Sequence, residues 1–497
     1  MDDKRIKTIA AISAAILSMG LAGCGESASS AKDGVDSTTE QTVVVTSEEV
    51  GRSQVQKEDT ASQTGNAESQ SGNTEGQTNG TERQTNGTEG QTNGTEGQTN
   101  GTEGQTNGTE GWTNSTEGQT NNTEEQSGNE NGNAGENSEK DIALKDACSK
   151  YFLLGVGING STLENLTTYD DEYMAMVKKH FNSVTLSNLM KSCYILQQKA
   201  SQESKDGMPV LDFSTIDDTL QWCMDNGIKM RGHTLVWHTQ TPEWFFREGY
   251  KDNGKYVDKE TMLARMESYI KQMLEHVQTN YPGVIYCWDV VNEAVDPGSG
   301  DKESGFLCRT EFDGGPNPWY ETIGPEYVEA AFRFARQYAD PEVKLIYNDF
   351  NTYETQKRNA IYALCENLKT KGLIDGIGMQ GYWGIDYPNI TAITSAITIY
   401  SRLDLEIQIT ELSVGVDEET PEEFEKQAKR YRNIFLNLKA LDTQGGGNCN
   451  ITSVTFFGLK DHYNAGDKTN ARLFDKDLNP KPAFDAVMQI FQMLYKD

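Results

Sequence analysis

Between residues 25 and 140 the chain has no tyrosine, no phenylalanine and a single tryptophan, Trp112. A segment so poor in large apolar groups, made mainly of Gly, Asn, Thr, Gln and Glu, cannot bury enough surface to offset the entropy of ordering it, so disorder is expected there. Basic charge is scarce too. Lys and Arg number 44 against 75 Asp and Glu, a net charge of -31, which argues against nucleic acid or an anionic membrane surface as partner and leaves neutral polymers open. The eight cysteines include no CxxC pair, so no metal site is expected. The apolar run from Ile9 to about Met19 is too short to span a bilayer.

That run follows Lys4, Arg5 and Lys7 and leads into LAGC at residues 21–24, the layout of a secretory signal. LAGC resembles a bacterial lipoprotein box. The resemblance implies an exported protein, lipid-anchored at the bacterial cell surface, with Cys24 as the lipidated first residue of the mature chain; ordinary cleavage at small residues is the alternative. Three segments follow: a lipoprotein signal over 1–24, a disordered low-complexity linker over 25–140 and a folded domain over 141–497. In the linker the unit TEGQTNG recurs from Thr74 to about Glu124, with no apolar position from which a coiled-coil seam could form. Its Asn-Gly-Thr triplets are formal glycosylation acceptors, but a bacterial N-terminus favours the plain linker. A coil of about 115 residues has a root-mean-square reach on the order of 60 Å, enough to lift a domain off a membrane. Because the linker holds 21 acidic and 5 basic residues, the folded domain keeps a net charge of -16 of its own.

The 357 residues from Asp141 to Asp497 suit one (β/α)8 barrel with embellished loops. Short apolar runs recur at 152–159, 181–188, 229–237, 286–294, 344–350, 374–383, 406–412 and 453–459, with amphipathic patterns between them at 261–277, 325–339 and 421–441. Buried strands alternating with helices imply a parallel sheet, and eight of them imply closure, hence an α/β fold of the TIM-barrel type preceded by the linker. The rival, an open doubly wound sheet, lacks its glycine-rich phosphate loop after the first strand. In a barrel the carboxyl ends of the strands form the active face. Here those ends carry Asn188, then His233, Trp237 and His238, then Asn292 and Glu293, Asn348 and Asp349, Gln380 and Glu411, which are expected to face one pocket.

Glu293 and Glu411 stand at strands four and seven, on opposite sides of the barrel mouth. Retaining glycoside hydrolysis uses two carboxyl groups about 5 to 5.5 Å apart, one protonating the leaving oxygen and the other attacking the anomeric carbon. Glu293 is read as the acid/base and Glu411 as the nucleophile, in surroundings that keep the first protonated and the second ionised. Asn292 is placed to hold a sugar 2-hydroxyl. Over nearly all of residues 145–495 the domain resembles glycoside hydrolase family 10 endo-β-1,4-xylanases, through FNSVT (181–185), RGHTLVWHTQTPEW (231–244), WDVVNEA (288–294), YNDFN (347–351), GIGMQ (376–380), ITEL (409–412) and LFDKDLNPKPAF (473–484). The resemblance implies that Asn188 and Lys191 bind the glycone, that His233, Trp237 and Gln240 shape the cleavage subsite, and that Gln380 lies near the nucleophile. His238 is read as a satisfied structural histidine. Xylan or a related β-1,4-linked plant polysaccharide is the implied substrate, with no metal, no organic cofactor and a monomeric chain.

Three departures stand against the family pattern. Ser187 replaces a sugar-binding glutamate, Tyr382 replaces a histidine that would bond the nucleophile, and no tryptophan follows Trp383, Phe457 taking the first of two stacking positions. A phenol donates a hydrogen bond but carries no positive charge. Relaxed glycone subsites are therefore expected, and two further readings stay open: a hydrolase of decorated xylan or another β-glucan, and a weakly active surface glycan-binding protein.

Overall fold

The computed structural model describes residues 142–158, 170–462 and 470–492. The readings made for residues 1–140, including the signal, Cys24 and the repeat linker, lie outside the described residues.

Eight strands close into a barrel: β1 (Leu153–Ile158), β2 (Ser183–Leu186), β3 (Lys229–Trp237), β4 (Ile285–Asn292), β5 (Lys344–Asp349), β6 (Gly376–Met379), β7 (Glu406–Leu412) and β8 (Ile451–Phe456), each paired in parallel with its neighbours and β8 returning to β1. The expected α/β barrel is the observed fold. The strands are buried almost without interruption because both faces are covered, one by the barrel interior and the other by helices. The three amphipathic patterns form helices Lys259–Asn280, Tyr327–Tyr338 and Pro421–Leu441. The first buries Met262, Met266, Tyr269, Ile270, Met273, Leu274 and Val277, a stripe at three- and four-residue spacing. Local chemistry sets where they begin: Asp258 accepts from the Thr261 amide, and Thr420 caps a helix whose first residue is Pro421.

Two features of the barrel interior position the site. Arg231 on β3 makes a two-pronged ion pair with Asp289 on β4, at 2.6 and 3.0 Å, and its Nε donates to Gln408 on β7 at 2.9 Å. The same aspartate lies 2.9 Å from His233 Nδ1, so a fully buried network fixes the imidazole before it reaches the mouth. At Gly378 on β6 a side chain is excluded: a Cβ would lie 2.4 Å from Asn348 Oδ1 and 2.9 Å from Thr410 Cγ2. The missing side chain is the space in which Asn348 sits.

All seven described cysteines are free thiols, and Cys223 and Cys287 are buried in the core as their apolar surroundings suggest. Among the described residues no helix is long and apolar enough to cross a membrane.

Candidate active site

One cavity opens at the carboxyl ends of the strands. Its lining includes Asn188, Lys191, His233, Trp237, Gln240, Asn292, Glu293, Gln380, Tyr382 and Glu411, together with Ser187, His238 and Phe457. The sequence-predicted residues thus come together in one place, with two exceptions on β5: Asn348 lies just beneath the lining, reaching Glu411 and Asn292 by hydrogen bonds, and Asp349 turns away. Its carboxylate is fully buried, 2.7 Å from Lys357 Nζ and 2.5 Å from the Tyr347 hydroxyl. Neighbouring residues of a strand point to opposite faces, so Asn348 facing the mouth puts Asp349 behind it. Asn292 and Glu293 escape this alternation and both line the cavity, because Glu293 has left the strand in a left-handed conformation, φ 57°. Such a backbone is uncommon for a residue with a Cβ and clusters at functional sites.

The two carboxylates are each held by two donors. Glu411 accepts from the Tyr382 hydroxyl at 2.6 Å on one oxygen and from Asn348 Nδ2 at 2.9 Å on the other. Glu293 accepts from Trp237 Nε1 at 3.0 Å and Gln380 Nε2 at 2.9 Å. Asn348 Nδ2 and Gln380 Nε2 both donate as well to Asn292 Oδ1, at 3.0 and 3.3 Å. A single chain of amides therefore runs from Glu411 through Asn348, Asn292 and Gln380 to Glu293. With its oxygen so committed, Asn292 has its NH2 group left to donate to a ligand. Asn348 is itself oriented by the Thr410 hydroxyl, which donates to its Oδ1 at 2.7 Å.

Gln380 lines the same cavity as Glu411, and its amide nitrogen bonds the acid/base candidate Glu293; the residue that holds Glu411, reaching it from β5 across β6, is Asn348. Nothing in the sequence marks that role beyond the position of Asn348 at the end of β5. His238 departs from expectation: its Nδ1 is buried without a partner among the described residues. Burial, then the charges of Arg309 and Lys357, hold its proton affinity well below the usual histidine range, so the ring is neutral.

Proton affinities show how the site works against its own burial. Burial raises the Glu411 carboxyl above the ordinary carboxylate range; His233, Tyr382 and Asn348 oppose the rise and Glu293 adds to it. The expected ionised nucleophile is thus not a gift of the surroundings as a whole. What favours the ionised form is His233 first, and then the bonds from Tyr382 and Asn348, since donors on both oxygens match a carboxylate rather than an acid. Tyr382 keeps its proton because burial and the Glu411 charge push its phenol far up. Lys191 is buried, which lowers its ammonium to about 8 although Glu411, Cys193 and Glu293 favour the charge. It donates to Gln240 Oε1 at 2.8 Å and Asn188 Oδ1 at 3.2 Å and lies 4.7 Å above the Trp237 ring. The altered wall is directly visible: Phe457 packs edge-on to Tyr382, with ring centroids 5.8 Å apart, and Ser187 lines the cavity near Asn188.

Comparison with known proteins gives consistent matches. The profile described as "Glycosyl hydrolase family 10" matches residues 143–490. A "Putative endo-1,4-beta-xylanase" of Caldicellulosiruptor saccharolyticus is 46% identical over 312 residues, covering 60% of this chain and 96% of that protein. "Endo-1,4-beta-xylanase B" of Butyrivibrio fibrisolvens is 41% identical, covering 64% of this chain and 47% of that longer protein. Among solved structures, the CBM22-1 and GH10 modules of Clostridium thermocellum endo-1,4-beta-D-xylanase 10B, complexed with xylohexaose, superpose with a TM-score of 0.64 at 33% identity, covering 71% of this chain and 68% of that one.

Proposed function

Since this chain belongs to glycosyl hydrolase family 10, we propose that it is an endo-acting, retaining hydrolase of β-1,4-xylosidic bonds in xylan. The observation that carries the reading is the pair of carboxylates at the ends of β4 and β7, facing one cavity, each fixed by two donors and joined by a chain of amides. In the first step Glu293 gives its proton to the glycosidic oxygen while a Glu411 oxygen attacks the anomeric carbon, so that the aglycone leaves as an alcohol and a glycosyl ester remains. In the second, Glu293 takes a proton from water, whose oxygen displaces Glu411 and restores both groups. Asn292, donating to the sugar 2-hydroxyl, strengthens its hold as oxocarbenium character develops.

The site residues divide accordingly. Asn188, Lys191 and Gln240 hold the glycone, Trp237 and Gln380 hold Glu293, and Tyr382 and Asn348 hold Glu411. The reduced aromatic floor at Phe457 and the serine at 187 favour a wider substrate range within the same chemistry, including decorated xylan and mixed-linkage glucan, because less bulk crowds the carbon where glucose bears its hydroxymethyl group. Lipidation at Cys24 and the linker would present this domain at the cell surface as a monomer; recovery of the chain in the membrane fraction, lost on Cys24→Ala, tests that part.

The chemistry is tested by reducing-sugar release from glucuronoarabinoxylan and from mixed-linkage β-glucan, with Glu411→Gln as the blank. Xylan cleavage that vanishes in the variant is the expected result. Cleavage of glucan alone moves the substrate, and binding to either polymer without turnover sinks the hydrolase reading in favour of a glycan-binding role.

A further inference from the structure

The two ends of the cavity are unequally furnished. At one end Asn188, Lys191 and Gln240 follow β2 and β3; at the other, past the two carboxylates, lie Phe312 from the loop after β4 and Phe350, Asn351 and Glu354 from the loop after β5. Aromatic surface continues beyond this second end. Buried Tyr353 donates its hydroxyl to Asn351 Oδ1 at 3.1 Å, and its ring meets that of Tyr387 edge-on, with centroids 5.7 Å apart. Tyr387, in the loop after β6, is 49% exposed. Among the described residues the other large apolar side chain so open is Met224, which lies just ahead of the amino end of β3, at the far end of the barrel from the cavity. The exposure of Tyr387 is not that of a loose loop. Gly384 N donates to Tyr387 O at 2.7 Å, and Arg430 donates to Gly384 O at 3.1 Å and to Pro388 O. The turn is pinned on both sides of a ring left in water, and a fixed apolar surface beside a cavity marks a place where a ligand lies.

We propose that Tyr387 is the outermost sugar-stacking platform of the aglycone end, carrying the face of a β-1,4-linked xylosyl unit of the leaving chain. The leaving oxygen takes its proton from Glu293 at the end of β4, so the departing chain runs over the neighbouring loops after β5 and β6. A pyranose presents C–H groups on its faces and hydroxyls around its rim, which suits a ring with a polar edge; Asn351 and Glu354 stand close by to meet the rim. The cations at this end are already paired, Lys357 with Asp349 at 2.7 Å and Arg309 with Asp296 at 3.3 Å, so the surface suits an uncharged sugar. On the glycone side, by contrast, Phe457 is turned edge-on to Tyr382. More of the stacking surface therefore falls on the leaving chain.

The inference rests on the hydrolase reading for which end receives the aglycone, but one arm of its test needs no turnover. In the full chain carrying Glu411→Gln, adding Tyr387→Ala is expected to raise the Kd of xylohexaose about tenfold, and adding Tyr387→Phe, which keeps the ring, by less than about twofold. As an exposed side chain Tyr387 can be truncated at little cost to folding, which the unfolding midpoint checks. In the active chain Tyr387→Ala should lower kcat/KM about tenfold on xylohexaose and less than about twofold on an aryl β-xylobioside, whose aglycone is a single ring. Xylohexaose labelled with 18O at its reducing end should then be cut at bonds that leave fewer xylosyl units on the departing side. An affinity unmoved by Tyr387→Ala overturns the proposal. So does an equal loss on the aryl xylobioside, which would make the residue structural, or a cleavage shift in the opposite direction, which would place it on the glycone side. A parent chain that cleaves neither substrate while Tyr387→Ala still weakens xylohexaose binding counts against the hydrolase reading and leaves the platform standing.

Discussion

The hydrogen bond from Asn348 to Glu411 offers the sharpest test of how Glu411, the proposed nucleophile, would be kept ionised. Asn348→Asp keeps shape and volume but replaces the NH2 group that donates to Glu411 Oε1 at 2.9 Å and to Asn292 Oδ1 at 3.0 Å with an oxygen. A hydrogen bond to a charged group contributes roughly 1.5 to 3 kcal/mol, and at 1.36 kcal/mol per pKa unit its loss alone raises the Glu411 midpoint by about one to two units. The new carboxyl facing the old one then shares a proton with it, so the two titrate as a pair. The sign is fixed: the nucleophile is active when deprotonated, so the acid limb of kcat/KM moves to higher pH. At the pH where the parent is at half its plateau, a two-unit shift leaves about 1% ionised and slows the variant roughly fifty-fold. Because the acid limb moves toward the basic one, the bell also narrows and its maximum falls. The assay is a pH series of initial rates on xylan, with thermal unfolding as control for folding. An acid limb in place, with rates within threefold of the parent at every pH, would refute the reasoning.

Three further outcomes follow from the same geometry. Gly378→Ala places a Cβ 2.4 Å from Asn348 Oδ1, so we expect overpacking to cost about 1 to 3 kcal/mol of stability and activity to fall further than the unfolding curve accounts for; full activity would mean Asn348 can shift without consequence. Lys191 has its folded value lowered to about 8 from 10.5, so between these the unfolded chain binds more protons and stability rises with pH. Lys191→Met, which has no charge to bury, should accordingly be the more stable protein at neutral pH and lose that advantage as the pH climbs from 8 to 10.5, whereas parallel unfolding curves would contradict the buried ammonium. Finally, proton NMR at early times should show the β-anomer as first product, and initial release of the α-anomer would rule out Glu411 as a covalent nucleophile.

How far these assignments were readable beforehand differs from residue to residue. The apolar runs located all eight strands to within a few residues, because a strand covered on both faces is apolar whatever its partners are. Several strands stop before the run does, and two of those ends carry chemistry. The run read as 374–383 is a strand only over Gly376–Met379, and that read as 286–294 ends at Asn292, where Glu293 takes φ 57°. In both places the chain leaves the sheet to aim a side chain, Tyr382 or Glu293, at the cavity. Residue type and strand end together also brought Glu293 and Glu411 to notice, since chemistry at the mouth of a barrel comes from strand ends.

What composition and order determined, then, was the barrel, the face on which its cavity opens and the two carboxylates proposed to work there, all of which depend on local periodicity and on the acid–base character of side chains. Only the folded chain decided which group touches which. Gln380 bonds Glu293 across 87 positions and Asn348 bonds Glu411 across 63. Such pairings follow from barrel closure and from the space left at Gly378, and a partner that arrives through a third strand leaves no trace in the spacing of the residues it will touch.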